Sequence, residues 1–307
     1  MPIKHSLSIL VCNFKLVAKI FVFFLVILLV VGGLTIGVMK PIFDGFFTEL
    51  QTNVPITAEE FFNHPILSMQ KYVDMFGDYL TGNEHFGLQL FYLWLIIVVT
   101  GFLLRLPLLP VSKILHGKTT SGFDMGLLNA VVSTIGQNLL YSAVSALVLG
   151  TVDVGILVGC GYLAVALTKA IGLIALPIVA LLVFILYAAR MSLFCHWLPE
   201  ICAQEKKNVF RAFATSLRPT GKRFVKDFIC LFVLIIAGWS LAILTALPTF
   251  GAATLLIVPT LFTLYSAMCL CLNYSYKQQK YFIDNGVTVY NPVKKFETAN
   301  ETPDEQQ

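Results

Sequence analysis

The residues with the clearest potential for chemistry lie close together in the sequence: Cys195, His196 and Cys202. Thiolates and imidazoles bind zinc, but a structural zinc site needs four ligands, usually arranged in closely spaced pairs. This group has the wrong spacing and no second pair. Cys269 and Cys271, two residues apart, would point to opposite sides of a helix. The sequence therefore predicts no metal site and no cofactor.

Motifs of enzymatic catalysis are missing from the sequence. It contains no phosphate-binding Walker loop, no G-x-S-x-G nucleophile elbow and no H-E-x-x-H zinc motif. The apolar segments contain almost no carboxylate or histidine, the groups on which intramembrane enzymes and proton-coupled pumps depend. We therefore predict no catalytic residues and a protein that is not an enzyme.

Polar side chains recur along the apolar segment 125–149. One row, with a spacing of four residues, is Asn129, Ser133, Gln137, Tyr141 and Ser145, and a second row beside it is Thr134, Asn138 and Ser142. In lipid, such groups face protein or water rather than acyl chains. Two interpretations remain open: hydrogen bonding between helices, or the lining of a polar cavity, with Asn129, Ser133, Gln137, Asn138 and Tyr141 as candidate residues.

The segment 190–227 carries eight basic residues against three acidic ones. Within it, Val209, Phe210, Phe213 and Leu217 form an apolar stripe typical of a short helix that lies in a membrane interface. Pro219 and Gly221 are expected to end that helix. The basic residues that we expect to contact anionic lipid headgroups are Lys206, Lys207, Arg211, Arg218, Lys222, Arg223 and Lys226. A nucleic acid partner is not predicted, because the stretch lies within a turn or two of lipid.

Composition places these residues in a membrane protein. Hydrophobic residues make up 57% of the 307 residues and charged residues 12%. Several apolar runs approach or exceed the ~20 residues that cross a bilayer as a helix. We predict an all-α, polytopic transmembrane helical bundle with about six spans. The spans are expected at about 17–39, 86–109, 125–149, 170–189, 228–247 and 254–272, in a single domain over 1–275, followed by a tail over 276–307 whose end is disordered.

The charges also predict an orientation, since Lys and Arg favour the cytoplasmic side. The acidic segment 41–85 is then an outer loop, with an amphipathic helix from Ile66 onwards. The basic segment 190–227 is the inner loop. Both termini are predicted to be cytoplasmic, in a multi-pass protein of the cell membrane.

The apolar segment 152–167 does not fit this scheme as a full span, because another crossing would place 190–227 outside. We expect an outer interfacial or re-entrant segment there, and a spanning segment remains the alternative. Gly155, Gly159 and Gly161 fit a backbone that bends or packs closely.

One motif resembles a known group of proteins. An arginine at the end of a span, a Leu-Pro pair, an acidic residue and then NVFRAFATSLRPTGKRF is similar to a motif in bacterial six-span membrane families of poorly known function. These include the integral membrane domain that precedes some glycerophosphodiester phosphodiesterases; HGKTTSGFD is similar to their other inner loop. The matching positions, within a region of roughly 110–275, are Arg190, Leu198, Pro199, Glu200, Ala212, Ser216, Gly221, Gly117 and Lys118. The phosphodiesterase domain itself is absent from this sequence, so its catalysis does not carry over. The resemblance implies a membrane-embedded helical domain with no agreed activity.

Two functions remain in view. The first is a non-enzymatic structural or accessory membrane component that works through lipids and through a membrane-protein partner or a second copy of the chain. The second is a transporter or channel-like protein that uses the polar rows of the third span as a pathway.

Overall fold

The structure, a computed structural model, describes residues 2–34, 37, 44, 63–82, 86–203, 208–249, 253–284 and 287–292. These residues are almost entirely helical. The ten α-helices among them are α1 (Pro2–Cys12), α2 (Phe14–Leu34), α3 (Pro65–Gly82), α4 (Phe86–Arg105), α5 (Leu108–Ser121), α6 (Leu127–Ile171), α7 (Ala175–Phe194), α8 (Trp197–Ala203), α9 (Val209–Thr249) and α10 (Thr254–Lys277). Two short strands, β1 (Tyr281–Phe282) and β2 (Val289–Tyr290), pair in antiparallel register after α10.

Glycines with left-handed backbone mark two of the boundaries between these helices. Gly122 has a φ of 68° and its N–H donates to the carbonyl of Lys118, which ends α5. Gly172, with a φ of 70°, begins the 3-10 turn between α6 and α7. A side chain would strain either position, because L-residues with a Cβ rarely adopt this conformation.

Five helical stretches of the described chain are long and apolar enough to cross a membrane. They are Phe14–Gly33, Gly87–Ser121, Leu127–Ala203, Val209–Thr245 and Leu255–Lys277. The predicted class, an all-α polytopic bundle, is confirmed. The stretch Leu127–Ala203 covers most of two predicted spans, 125–149 and 170–189, and the break at Gly172 lies near the start of the second.

The chain divides into two compact units. The first consists of residues 1–25, 104–142 and 188–307, so that it takes in α1, α5, α8, α9 and α10. Its core brings together α1, α2, α5 and α10, with Ile9, Ile20, Leu115 and Leu270 among the buried side chains. Helix α1 packs along α10, and β1 packs against α5.

The second unit consists of residues 26–103 and 143–187. Helix α3 is the amphipathic helix that the sequence predicts: Lys71, Asp74 and Asp78 are exposed, while Gly77 is buried against Val165 of α6. Helix α4 packs against α6, where the indole N–H of Trp94 donates to the hydroxyl of Thr151 at 3.0 Å. The capping pattern that the sequence suggests at 57–60 lies outside the described residues.

Segment 152–167 is part of α6, which runs without a break from Leu127 to Ile171. The expectation of a bend or close approach at its glycines is wrong for Gly155 and Gly159, because a Cβ on either would meet nothing within 4 Å. The close approach is at Gly150 instead, where a Cβ would lie 2.9 Å from Cγ2 of Val98.

The expected end of a helix at Pro219 and Gly221 is also wrong. Both residues lie inside α9, which extends from Val209 to Thr249. Proline removes one backbone hydrogen bond, and membrane helices tolerate it where nearby hydroxyl groups bond to backbone carbonyls. Beside the proline, the Thr220 hydroxyl lies 2.9 Å from the carbonyl of Ser216 and 3.4 Å from that of Leu193, so that it also joins α9 to α7. The apolar stripe that begins at Val209 is therefore the start of a long helix rather than a separate one.

The contact at Gly150 gives the first testable prediction. We expect Gly150→Leu to lower the thermal stability of the detergent-purified protein, because the new side chain must displace Val98, and overpacking costs about 1–3 kcal/mol. Gly136→Leu is the matched control on the same helix, since a Cβ there meets nothing within 4 Å. Equal melting temperatures for the two variants would contradict the packing described for α4 and α6.

Candidate functional site

The two polar rows of the predicted third span lie in different surroundings. Asn129 and Ser133 are exposed and Gln137 is half-buried, whereas Asn138 and Tyr141 are buried. In the second row, Thr134 and Ser142 are buried as well. The structure therefore brings the second row into the protein interior together with Tyr141 and Ser145 of the first row.

The buried residues of α6 in the first unit contact neighbouring elements rather than a polar cavity. Nδ2 of Asn138 donates to the carbonyl of Leu106 at 2.6 Å, in the turn between α4 and α5. The ring of Tyr141 packs edge-to-face on Trp197, with centroids 5.0 Å apart. These two contacts join α6 to the turn after α4 and to α8 within the first unit.

A buried carboxylate joins α8 to α10. Glu200 is only 8% exposed, and its Oε1 accepts from Nδ2 of Asn273 at 2.9 Å and from Nζ of Lys277 at 2.6 Å. Asn273 is 2% exposed. A carboxylate out of water is costly unless charged and hydrogen-bonding groups compensate it. The two side chains of α10, one turn apart, supply that compensation.

A second set of polar contacts joins α5 to the same helix. Oη of Tyr274 lies 2.7 Å from Nδ1 of His116 and 2.9 Å from Oγ1 of Thr119. At the end of α1, Oδ1 of Asn13 accepts from Nζ of Lys118 at 2.9 Å. Helices α1, α5, α8 and α10 are thus connected by side-chain hydrogen bonds at one end of α10.

The third set is the most deeply buried. Nε2 of His196 lies 2.8 Å from Oδ2 of Asp227, and the two side chains are 0% and 1% exposed. Ligand atoms of Cys195, His196 and Asp227 all lie within 4.8 Å of one another. The first two residues form the turn between α7 and α8, and Asp227 lies on α9. Cys202, which the sequence analysis considered beside them, is not in this group.

The strand after α10 returns to the first helix. Nδ1 of His5 and the hydroxyl of Tyr281 are 2.5 Å apart. Burial, together with the positive charges of the N-terminus and Lys4, lowers the pKa of His5, and burial raises the pKa of Tyr281. Both shifts favour neutral side chains at neutral pH, joined by a hydrogen bond between the tyrosine hydroxyl and the imidazole nitrogen.

The basic residues predicted to contact headgroups are mostly on the surface. Arg211, Arg218, Lys222 and Lys226 are exposed on α9. Arg223 is half-buried and donates from Nη1 to the hydroxyl of Ser275 at 3.2 Å. Lys206 and Lys207 lie outside the described residues.

Other lysines surround a cavity that the sequence analysis did not find. It has a volume of about 110 Å³ and is lined by Lys15 and Lys19 of α2, by Asn13, and by Lys118 and Asp124. Lys15 and Lys19 are exposed, whereas Lys118 is paired with Asp124 at 3.2 Å. A second cavity, of about 260 Å³, is apolar and is lined by residues that include Leu234, Trp239 and Leu261. Neither of these two cavities is lined by the candidate residues of the polar rows.

The positions that carry the resemblance to six-span bacterial domains mostly have packing roles. Ala212 and Ser216 are fully buried on α9, and Glu200 holds Asn273 and Lys277. A Cβ on Gly117 would lie 3.3 Å from the backbone oxygen of Phe123, so that glycine allows the chain to turn closely after α5. These residues fix the geometry of the first unit.

Sequence reasoning missed the groups contributed by the end of α10. The last predicted span ends at 272, whereas α10 continues to Lys277, with Asn273 and Tyr274 buried. A usable signal was present: Asn273 and Lys277 are four residues apart and thus share a helix face. The contact of Asp227 with His196 was also missed, because the sequence shows Asp227 only as one of the three acidic residues of the segment 190–227.

No family model, curated protein or solved structure matches the chain. The resemblance to six-span bacterial domains therefore remains a hypothesis that rests on the quoted residues. The fold itself defines the class: the chain is a multi-pass, all-α membrane protein.

Glu200 gives the second prediction. Glu200→Ala should lower the stability of the purified protein by about 1–3 kcal/mol, because it leaves the buried amide of Asn273 without its acceptor. Glu200→Gln is the matched control: it keeps an oxygen for Asn273 and loses only the charge opposite Lys277, which is one-third exposed and so contributes little. Thermal unfolding in detergent measures both. The role given to Glu200 is wrong if the alanine variant is as stable as the glutamine variant.

Proposed function

We propose that the protein is a non-enzymatic structural or accessory component of the cell membrane. In this proposal both termini are cytoplasmic, and the basic residues of the first unit lie at the inner membrane face, where they bind anionic lipid headgroups. Exposed polar side chains on α6 are available to a membrane-protein partner or a second copy of the chain.

The observation that carries this proposal is the use of the buried polar groups in the first unit. The carboxylate of Glu200, the hydroxyl of Tyr274 and the amide of Asn138 each bond to another helix or turn of the protein. Groups that serve transport or catalysis must instead be reachable by a substrate. Buried polar groups that bind one another hold helices in a fixed arrangement.

A thiol, an imidazole and a carboxylate can form a nucleophilic triad, and these three groups are present at Cys195, His196 and Asp227. All three side chains are buried. The thiol donates to the backbone oxygen of Ser192, near the end of α7, at 3.3 Å. A nucleophile must reach a substrate carbonyl, so this arrangement favours a non-catalytic role.

The cavity beside Lys15 and Lys19 supports the lipid part of the proposal. Two exposed ammonium groups lie beside a space of about 110 Å³, and the amide of Asn13 adds a polar wall. Basic pockets at the inner membrane surface suit the phosphate of a lipid headgroup, with about 1 kcal/mol of attraction for each cation. The exposed cations of α9, Lys222 and Lys226, add to the same predicted surface.

The third prediction tests this lipid site. The double variant Lys15→Gln/Lys19→Gln should lose about 2 kcal/mol of attraction, roughly thirtyfold in affinity, for phosphatidylglycerol. The measurement is the phosphatidylglycerol retained per chain after purification from membranes that contain it, determined by native mass spectrometry.

The control for that measurement removes the same charge elsewhere. Lys71→Gln/Lys169→Gln changes two exposed lysines of the second unit that do not line the cavity. We expect it to retain lipid as the unchanged protein does. Equal lipid loss in both double variants would mean that overall charge, rather than the cavity, holds the lipid.

A transporter is the second candidate, and one observation favours it. Asn129 and Ser133 are exposed and Gln137 is half-buried on an apolar helix. Polar groups at membrane depth face water or protein, so this surface is covered either by a water-filled path or by another protein.

The fourth prediction separates these two candidates. For a structural component, Gln137→Cys should be protected from a water-soluble maleimide in permeabilised membranes, because protein covers the site. Rapid labelling would instead favour the transporter. The unchanged protein, with its seven cysteines, sets the background.

Ser121→Cys provides the positive control for reactivity and also tests the orientation. Ser121 is exposed at the end of α5, on the side that the sequence predicts to be cytoplasmic. A cysteine there should react in inside-out vesicles and remain unlabelled in intact cells. The reverse pattern would overturn the proposed orientation.

A further inference from the structure

The turn between α7 and α8 places two metal-binding side chains beside a third from α9. The ligand atoms of Cys195, His196 and Asp227 lie within 4.8 Å of one another. Among the described residues, this is the one such group with three or more His, Cys, Asp or Glu side chains. Neighbours in sequence supply two of the groups, and a residue 31 positions away from His196 supplies the third.

Two atoms of this group lack hydrogen-bond partners in the described part of the chain. They are Nδ1 of His196 and Oδ1 of Asp227, both on side chains that are essentially fully buried. Leaving a buried polar atom unpaired destabilises a fold, and more so when the group is charged. The direct contact between Nε2 and Oδ2 uses one atom of each side chain and leaves the others unsatisfied.

The surroundings of these two unpaired atoms favour a bound cation. Buried apolar or sulfur-containing neighbours of Cys195 include Leu231, Met268 and Leu272. In such surroundings a lone negative charge is strongly disfavoured. A divalent ion bound by one thiolate and one carboxylate brings the net charge of the group to zero, with the neutral imidazole as a third ligand.

We propose that Cys195, His196 and Asp227 bind a divalent transition-metal ion of the zinc class. Thiolate, imidazole and carboxylate are the three ligand types that zinc takes in proteins. Binding requires loss of the thiol proton, which leaves to solvent as the ion enters. The three protein ligands leave one of the four positions around the ion to a water molecule. The bound ion joins the turn between α7 and α8 to α9.

This proposal is independent of the lipid and partner functions proposed above. The lysines beside the 110 Å³ cavity and the three metal ligands are different residues. Failure of either proposal leaves the other unchanged.

The experiment measures metal in the full-length protein purified in detergent without chelators. We expect one equivalent of zinc per chain by elemental analysis, and its loss in Cys195→Ser and in Asp227→Asn. Cys269→Ser is the matched control: it replaces another buried cysteine of the same apolar cluster that is not one of the three ligands. This control should keep its zinc.

A second measurement decides the matter if the ligand variants do not fold. The unchanged protein, stripped of metal and loaded with Co²⁺, should show the near-ultraviolet charge-transfer band of a cobalt–thiolate bond. Chelation should also lower its melting temperature, and added Zn²⁺ should restore it.

Three results would overturn the proposal. The first is a protein that carries no metal and takes up neither Zn²⁺ nor Co²⁺. The second is a cobalt complex without a thiolate band. The third is a folded Cys195→Ser variant with as much zinc as the unchanged protein.

Discussion

The first unit depends on one costly group, the buried carboxylate of Glu200. An ionised side chain that leaves water must recover several kcal/mol from its partners, and here both partners lie on α10, at Asn273 and Lys277. That requirement fixes the position of α8 along α10. The same helix end also bonds to His116 of α5 through Tyr274, so α10 connects α5 and α8.

Hydrogen bonds and close backbone approach both hold helices together. In the first unit, side chains of α5, α8 and α10 form hydrogen bonds between helices. In the second, a Cβ on Gly150 would lie 2.9 Å from Val98 and one on Gly77 would lie 2.8 Å from Val165, while the indole of Trp94 donates to Thr151. Buried polar groups that bond to one another restrict the arrangements open to the helices that carry them.

Much of the fold could be predicted from the sequence, and little of the site. Apolar runs predict membrane helices because the length and composition of each run are local properties of the sequence. The periodicity of the apolar residues likewise predicts the helix from Ile66 onwards. Helix ends were harder, because tertiary contacts carry α9 through Pro219 and α10 to Lys277. The pairing of His196 with Asp227 joins residues from different helices, and no local pattern encodes such a contact.

The packing of α1 along α10 has a consequence for biosynthesis. His5 and Tyr281 are 276 positions apart, yet they bond directly. A ribosome releases the chain from its N-terminus at about 5–20 residues per second. Almost the whole chain is therefore synthesised before α10 and Tyr281, the partners of the first helix, emerge. The apolar face of the first helix must meanwhile be shielded by lipid or by the insertion machinery, so assembly of the first unit is a late, post-insertion event.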